Sequence, residues 1–270
     1  TGVQTCALPI SCETSNASMR TLKLTIAYDG SRYGGWQVQP NAPTVQAKLE
    51  QAIHQIVGEP VRTTASGRTD AGVHAHGQVI SCQLPSDLSP ARLVRGINSQ
   101  LPDDIRILEV EPAPSGFHAI RDATRKRYRY RIWNANVLDV FQRDYVWHIP
   151  IPLDSEEMRK AIRLFKGQHD FMSFQSTGSP RKTTVRTMRD VGFDVQTVRG
   201  GQEITIELEA DGFLYNMVRN IVGTLVWIGR GRETAEWIPT LIKQCNRREA
   251  GMTAPAKGLT LVKVWYDDLL

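Results

Sequence analysis

Cysteine is scarce in this chain. Four occur in 270 residues, at positions 6, 12, 82 and 245, and none forms a CxxC pair. That usage argues against a disulfide framework and a zinc knuckle, and it suits a reducing cytoplasm. No apolar run reaches the ~20 residues that a membrane-spanning helix needs. Neither a GxxxxGK[ST] loop nor a GxGxxG turn is present, so the sequence offers no fingerprint for a nucleotide or dinucleotide cofactor. The first eighteen residues contain no Lys or Arg and show no hydrophobic period. A secretory signal needs a basic start and an apolar stretch of ~7 to 15 residues. Residues 1–18 therefore read as a foreign or disordered leader, with Met19 as the natural start.

What is present is an ordinary globular composition, 41% hydrophobic and 23% charged, with a formal charge of +5 that favours a polyanionic partner. "TLKLTIAYDG" alternates Leu22, Leu24, Ile26 and Tyr28 with polar neighbours, the period of a half-buried strand. Thr44 caps a helix with the stripe Val45, Leu49, Ile53 and Val57, closed by Gly58. A strand around "QVISCQL", a helix begun by Ser89 and Pro90, and the strand "IRILEV" follow. The second half runs in similar order: the strand "TRKRYRYRIW", the helix "DSEEMRKAIRLFKG", strands over 183–198 and 202–210, a buried helix "GFLYNMVRNIVGTLVWIG", a helix near 234–247 and the strand "LTLVKVWY". The expected fold is α+β, in two similar ferredoxin-like (RRM-like) halves over 19–124 and 125–270.

Four places carry chemistry. In "SGRTDAGVHAHGQV", Asp70 either caps turn N–H groups or stands as a carboxylate beside a cation, able to attack carbon or accept a proton. Gly67 and Gly72 let a bulky ligand approach the backbone, and Arg68 supplies charge for a phosphate. His74 and His76 have the spacing of a metal pair but no third ligand at motif distance, so they read as polar loop residues and no metal is expected. In "RKRYRYR", Lys126, Tyr128 and Tyr130 share one side of a strand, and Arg127, Arg129 and Arg131 the other. Rings for stacking and cations for phosphates point to RNA; a solvated strand with two core tyrosines is the alternative. Arg219 lies in an apolar helix, where an unpaired cation is costly, so it implies a buried acceptor or a snorkelling side chain. Asp70 is a candidate partner.

"SGRTDAGVHAHGQV" resembles the catalytic motif of the tRNA pseudouridine synthase A family. "YDGSRYGGWQVQ", "FHA", "RKRYRY", "GQHDFMSF", "TTVRTM", "DGFLYNMVRNIVGTLVWIGRG" and "AGMTAPAKGLTLVKVWY" are similar to further family motifs and fall in family order from Tyr28 to Tyr266. The resemblance implies a pseudouridine synthase fold, with a mostly antiparallel central sheet and an active-site cleft between the halves. It implies isomerisation of uridine at positions 38, 39 and 40 of the tRNA anticodon stem-loop by a cytoplasmic homodimer, without a cofactor. Asp70 matches the nucleophile, Arg68 an arginine that helps flip the uridine, Tyr128 the ring that stacks on the base, and Arg219 the partner of the carboxylate. His118, Arg121 and Lys126 are expected at the RNA. Ile120 stands where the family usually has Arg, with Arg121 following, and Met252 replaces a common Pro. An RNA-binding module without catalysis, or a metal-dependent RNA hydrolase using His74 and His76, are the competing classes.

Overall fold

The computed structural model describes residues 19–178 and 182–267; the expected leader lies outside them. The first half comprises β1 (Met19–Tyr28), α1 (Val45–Val57), β2 (Thr63–Ala65), β3 (His74–Pro85), α2 (Pro90–Gln100) and β4 (Ile105–Pro112). The second comprises β5 (Arg125–Ala135), β6 (Trp147–His148), α3 (Ser155–Arg163), β7 (Gly167–Asp170), β8 (Val185–Val198), β9 (Gly201–Ala210), α4 (Met217–Gly229), α5 (Trp237–Gln244) and β10 (Leu259–Trp265). Strand order is β4-β1-β3 with β2 on β3, then β10-β5-β9-β8-β7. Taking β1, β2, β3, β4 and β5, β8, β9, β10 as corresponding strands, each half repeats one β-α-β-β-α-β order with spatial sequence 4-1-3-2. The expected α+β architecture is thus present, with every pairing antiparallel except β5 with β6 and β3 with β10.

Local signals placed most elements. The alternation in β1 buries Leu22, Leu24 and Ile26 completely. In α1, Thr44 accepts a hydrogen bond from the Ala47 N–H, and Gly58 closes the helix in the left-handed region at φ 81°. Asp154 accepts from the Glu157 N–H to begin α3, where Glu156 and Glu157 suit the positive end of the helix dipole. Two boundaries differ from the sequence reading. The buried helix begins at Met217 rather than near Gly212, because Asn216 adopts φ 59°, outside helical space. The "QVISCQL" strand begins earlier, at His74, because its first residues pair with β10.

That pairing positions the site. β3 is long enough to hold β2 along Ile80, Ser81 and Cys82 and β10 at His74 and Ala75. The connection over residues 66–73 therefore runs back along β3 from one partner to the other. It delivers Asp70 to the seam where the last strand of the chain joins the first half.

Candidate active site

The Asp70 turn is built by the backbone. The Val73 N–H donates to the Asp70 carbonyl at 3.1 Å, and Gly72 supplies the positive φ (77°) that a turn of this kind requires at its third position. The Trp36 N–H donates to the Thr69 carbonyl at 3.0 Å. Gly35, at φ 101°, lies so close that a Cβ there would come within 2.7 Å of that carbonyl oxygen. Tyr28, buried beneath the turn, shares a 2.8 Å hydrogen bond with the Thr69 hydroxyl, and burial pushes its phenol up to about 12. These contacts hold the residue before Asp70 from two sides.

The carboxylate does not fold back to cap the turn. Its Oδ2 accepts from Arg219 Nη1 at 3.0 Å, joining residues 149 apart in sequence across the two halves. Side-chain exposures are 34% for Asp70 and 17% for Arg219, so the cation is the more deeply set of the two. Asp70 Oδ1 has no hydrogen-bond partner among the described residues. Arg219 Nε donates to the Ala254 carbonyl at 2.7 Å, and Nη1 also donates to Asn216 Oδ1 at 3.0 Å. Arg219 is therefore held at three points, while one carboxylate oxygen stays open. That arrangement suits a nucleophile better than a structural ion pair.

Tyr128 comes from β5 to the same place. Its ring, 9% exposed, meets Phe213 edge to face with centroids 5.0 Å apart. Burial, then the neighbouring Tyr28 and Asp70, push its phenol well above the ordinary tyrosine range, so it is neutral at physiological pH. Its hydroxyl has no hydrogen-bond partner among the described residues. Arg68 is exposed two residues before Asp70, and no hydrogen bond or ion pair engages it among the described residues.

Lys126 donates from Nζ to the Ser66 carbonyl at 2.5 Å, supporting the start of the Asp70 connection. His118 Nδ1 accepts from the Ile120 and Arg121 N–H groups, which shapes the turn after Phe117. Arg121 is exposed and bonded to Asp122 at 2.9 Å and to the Gly116 carbonyl at 2.6 Å, while Ile120 beside it points to solvent.

Two sequence readings need correction. The histidines are not loop residues: both lie on β3, and His74 is buried, its Nε2 3.1 Å from the carbonyls of Asp144 and Lys257 and its Nδ1 accepting from the Gly30 N–H. His74 thereby ties the two halves together, and its ring nitrogens are spent. Among the described residues no group of three His, Cys, Asp or Glu is placed to hold a metal. The arginines of "RKRYRYR" are also not open to phosphates as the alternation suggested. Arg125 and Arg127 bond to Glu209, Arg129 to Glu207 and Arg131 to Glu203, at 2.6–3.0 Å. A surface depression of about 440 Å³ on that side is lined by Arg129, Arg131 and Glu207 and does not include Asp70. The sequence signal for this pairing was available, because Glu203, Glu207 and Glu209 share one side of β9.

Sequence reasoning missed Asn216 and the Ala254 carbonyl as partners of Arg219. The first gives no pattern signal, and the second is a backbone group whose place depends on the fold.

Comparison with known proteins follows the same residues. A family described as tRNA pseudouridine synthase matches residues 24–121 and 161–267. The tRNA pseudouridine synthase A of Moorella thermoacetica is 48% identical over 251 residues, spanning 92% of this chain and all of the relative. Those of Pelobacter propionicus and Acetivibrio thermocellus are each 46% identical over 248 residues, again 92% of this chain and the whole relative.

Proposed function

This chain belongs to the tRNA pseudouridine synthase family, and from that premise we infer how its residues carry the activity. The enzyme isomerises uridine to pseudouridine in the anticodon stem-loop of tRNA, at positions 38, 39 and 40. In this reaction the bond from ribose C1′ to uracil N1 breaks, uracil turns, and C5 bonds to C1′; C5 gives up its proton and N1 gains one. The product is an isomer of the substrate, so the reaction has no net change of oxidation state.

The observation that carries the residue assignment is the Asp70–Arg219 pair with one carboxylate oxygen open. Asp70 adds covalently to the flipped nucleoside, at ribose C1′ or uracil C6. Arg219 aims the carboxylate and offsets its charge. Tyr128 offers its ring to the extruded base, a contact that offsets part of the few kcal/mol that unstacking costs. Arg68, exposed at the mouth of the turn, helps open the stem and flip the uridine, its charge suited to a phosphate. Arg121, His118 and Lys126 complete the RNA-facing set, the last two chiefly by shaping the loops that meet it. The chain acts as a cytoplasmic homodimer in which one tRNA touches both subunits, a state that light scattering with and without tRNA tests. No described helix is long and apolar enough to cross a membrane.

The deciding experiment uses tRNA transcribed with tritium at uracil C5, with EDTA present. Wild-type protein releases tritium to water; Asp70→Asn binds the same tRNA and releases none. Turnover by Asp70→Asn near the wild-type rate removes Asp70 from the nucleophile role. Binding without release by both proteins, across a full tRNA pool, supports an RNA-binding module instead.

A further inference from the structure

Among the described residues, only Asn216 and Cys245 adopt positive φ without being glycine. Asn216 stands at the cap position of α4, where an Asn ordinarily takes an extended backbone and accepts a helix N–H. Here it does neither: φ is 59°, ψ is 9°, and its side chain makes no cap bond. Such a conformation persists where surrounding contacts over-determine it.

Those contacts lead to the catalytic pair. Asn216 Oδ1 accepts from Arg219 Nη1 at 3.0 Å, and Nδ2 donates to Ser176 Oγ at 3.2 Å. The amide orientation follows from chemistry, because a guanidinium only donates. Ser176 Oγ is also bonded by Asn220 Nδ2 at 3.2 Å, and Asn220 is fully buried. Asn220 Oδ1 in turn accepts from Arg247 Nη2 at 2.9 Å and from the Thr253 hydroxyl at 2.7 Å. Thr253 precedes Ala254, whose carbonyl holds Arg219 Nε. One connected network thus grips Arg219 from both sides, and Asn216 is its last link before the Nη1 that meets Asp70.

We propose that Asn216 is a positioning residue: its left-handed backbone gives up a helix cap so that its side-chain amide oxygen fixes the guanidinium of Arg219 against Asp70. The proposal rests on the assignment of Asp70 and Arg219 above. Glycine accepts φ 59° at no steric cost, so Asn216→Gly removes the oxygen without straining the turn. Aspartate tolerates the same backbone and keeps an oxygen in place. Single-turnover tritium release by Asn216→Gly falls about tenfold, while its tRNA Kd stays within about threefold of wild type, as expected when only orientation is lost. Asn216→Asp recovers to within about threefold of the wild-type rate. A wild-type rate in Asn216→Gly, or an Asn216→Asp as slow as Asn216→Gly, overturns the proposal. A crystal structure of Asn216→Gly tests it without substrate. Arg219 displaced from Asp70 supports the role, and an unchanged 3.0 Å pair refutes it. Absence of tritium release from wild type would instead count against the assigned reaction.

Discussion

The two sides of strand β5 face two different uses of charge. On one side Tyr128 and Tyr130 are buried, and the nearby Asp70–Arg219 pair joins one carboxylate to one guanidinium. On the other, four arginines face three glutamates, with Glu209 shared by Arg125 and Arg127 and Glu207 reached by both Arg127 and Arg129. In the ladder Glu209 accepts from two arginines, one on each carboxylate oxygen, and the guanidinium groups add a cation–π contact: those of Arg125 and Arg127 lie 4.8 and 5.5 Å from the Trp265 ring centre. At the turn, the arginine is held by three acceptors and the carboxylate by one donor. Glu209 is locked through both oxygens, whereas Asp70 is aimed through one and left open at the other.

Breaking the Asp70–Arg219 pair has the larger expected consequence. Arg219→Ala still folds, since Asp70 is one-third exposed and can be hydrated, but its single-turnover rate falls about 10² to 10³-fold, the usual cost of losing a preorganised charge partner. Rapid-quench assays of tritium release measure it, and a loss below about threefold would place Arg219 outside the pair's function.

Breaking the ladder has the opposite signature. Glu209→Gln leaves tritium release unchanged and lowers stability by about 2 kcal/mol, through the loss of charge-assisted bonds from two arginines. Burial works against ionisation of Glu209, yet the bonds from Arg127 and Arg125 hold its carboxyl below the ordinary range. A depressed folded-state pKa means that this stabilisation is present above the unfolded value, near 4.3, and is lost as pH falls through the folded one. Denaturation followed from pH 6 to pH 3 therefore shows a steeper loss in wild type than in Glu209→Gln. Parallel curves would remove Glu209 as a source of acid lability.

The smallest effect lies in the ring beside the pair. Tyr128→Phe keeps the stacking surface and the contact with Phe213, so tRNA Kd changes less than about twofold. A large loss of affinity by filter binding would assign the hydroxyl a direct contact with RNA.

Residues that act within a single element were readable from the sequence. The stripe of α1, the alternation of β1 and the apolar face of α4 each follow from local spacing, and Arg219 announced a missing acceptor because of where it sat. Strands of two to four residues, β2, β6 and β7, are too short for a period to register. The counter-ions of the β5 arginines lie 72 to 84 residues away on β9, and the burial of His74 depends on carbonyls from 144 and 257. Asp70 was nameable as Arg219's partner, but only the β3–β10 seam brings them within 3.0 Å.

That seam also orders events during synthesis on the ribosome. The edge of β3 beside the Asp70 turn stays unpaired until residues 259–265 have left the exit tunnel, so a nascent chain holding the first half already complete has no assembled reaction centre. Fragments ending before those residues should neither modify RNA nor protect that edge from pairing with another chain, which makes late truncation, rather than loss of any one side chain, the surest route to an inert and aggregation-prone product.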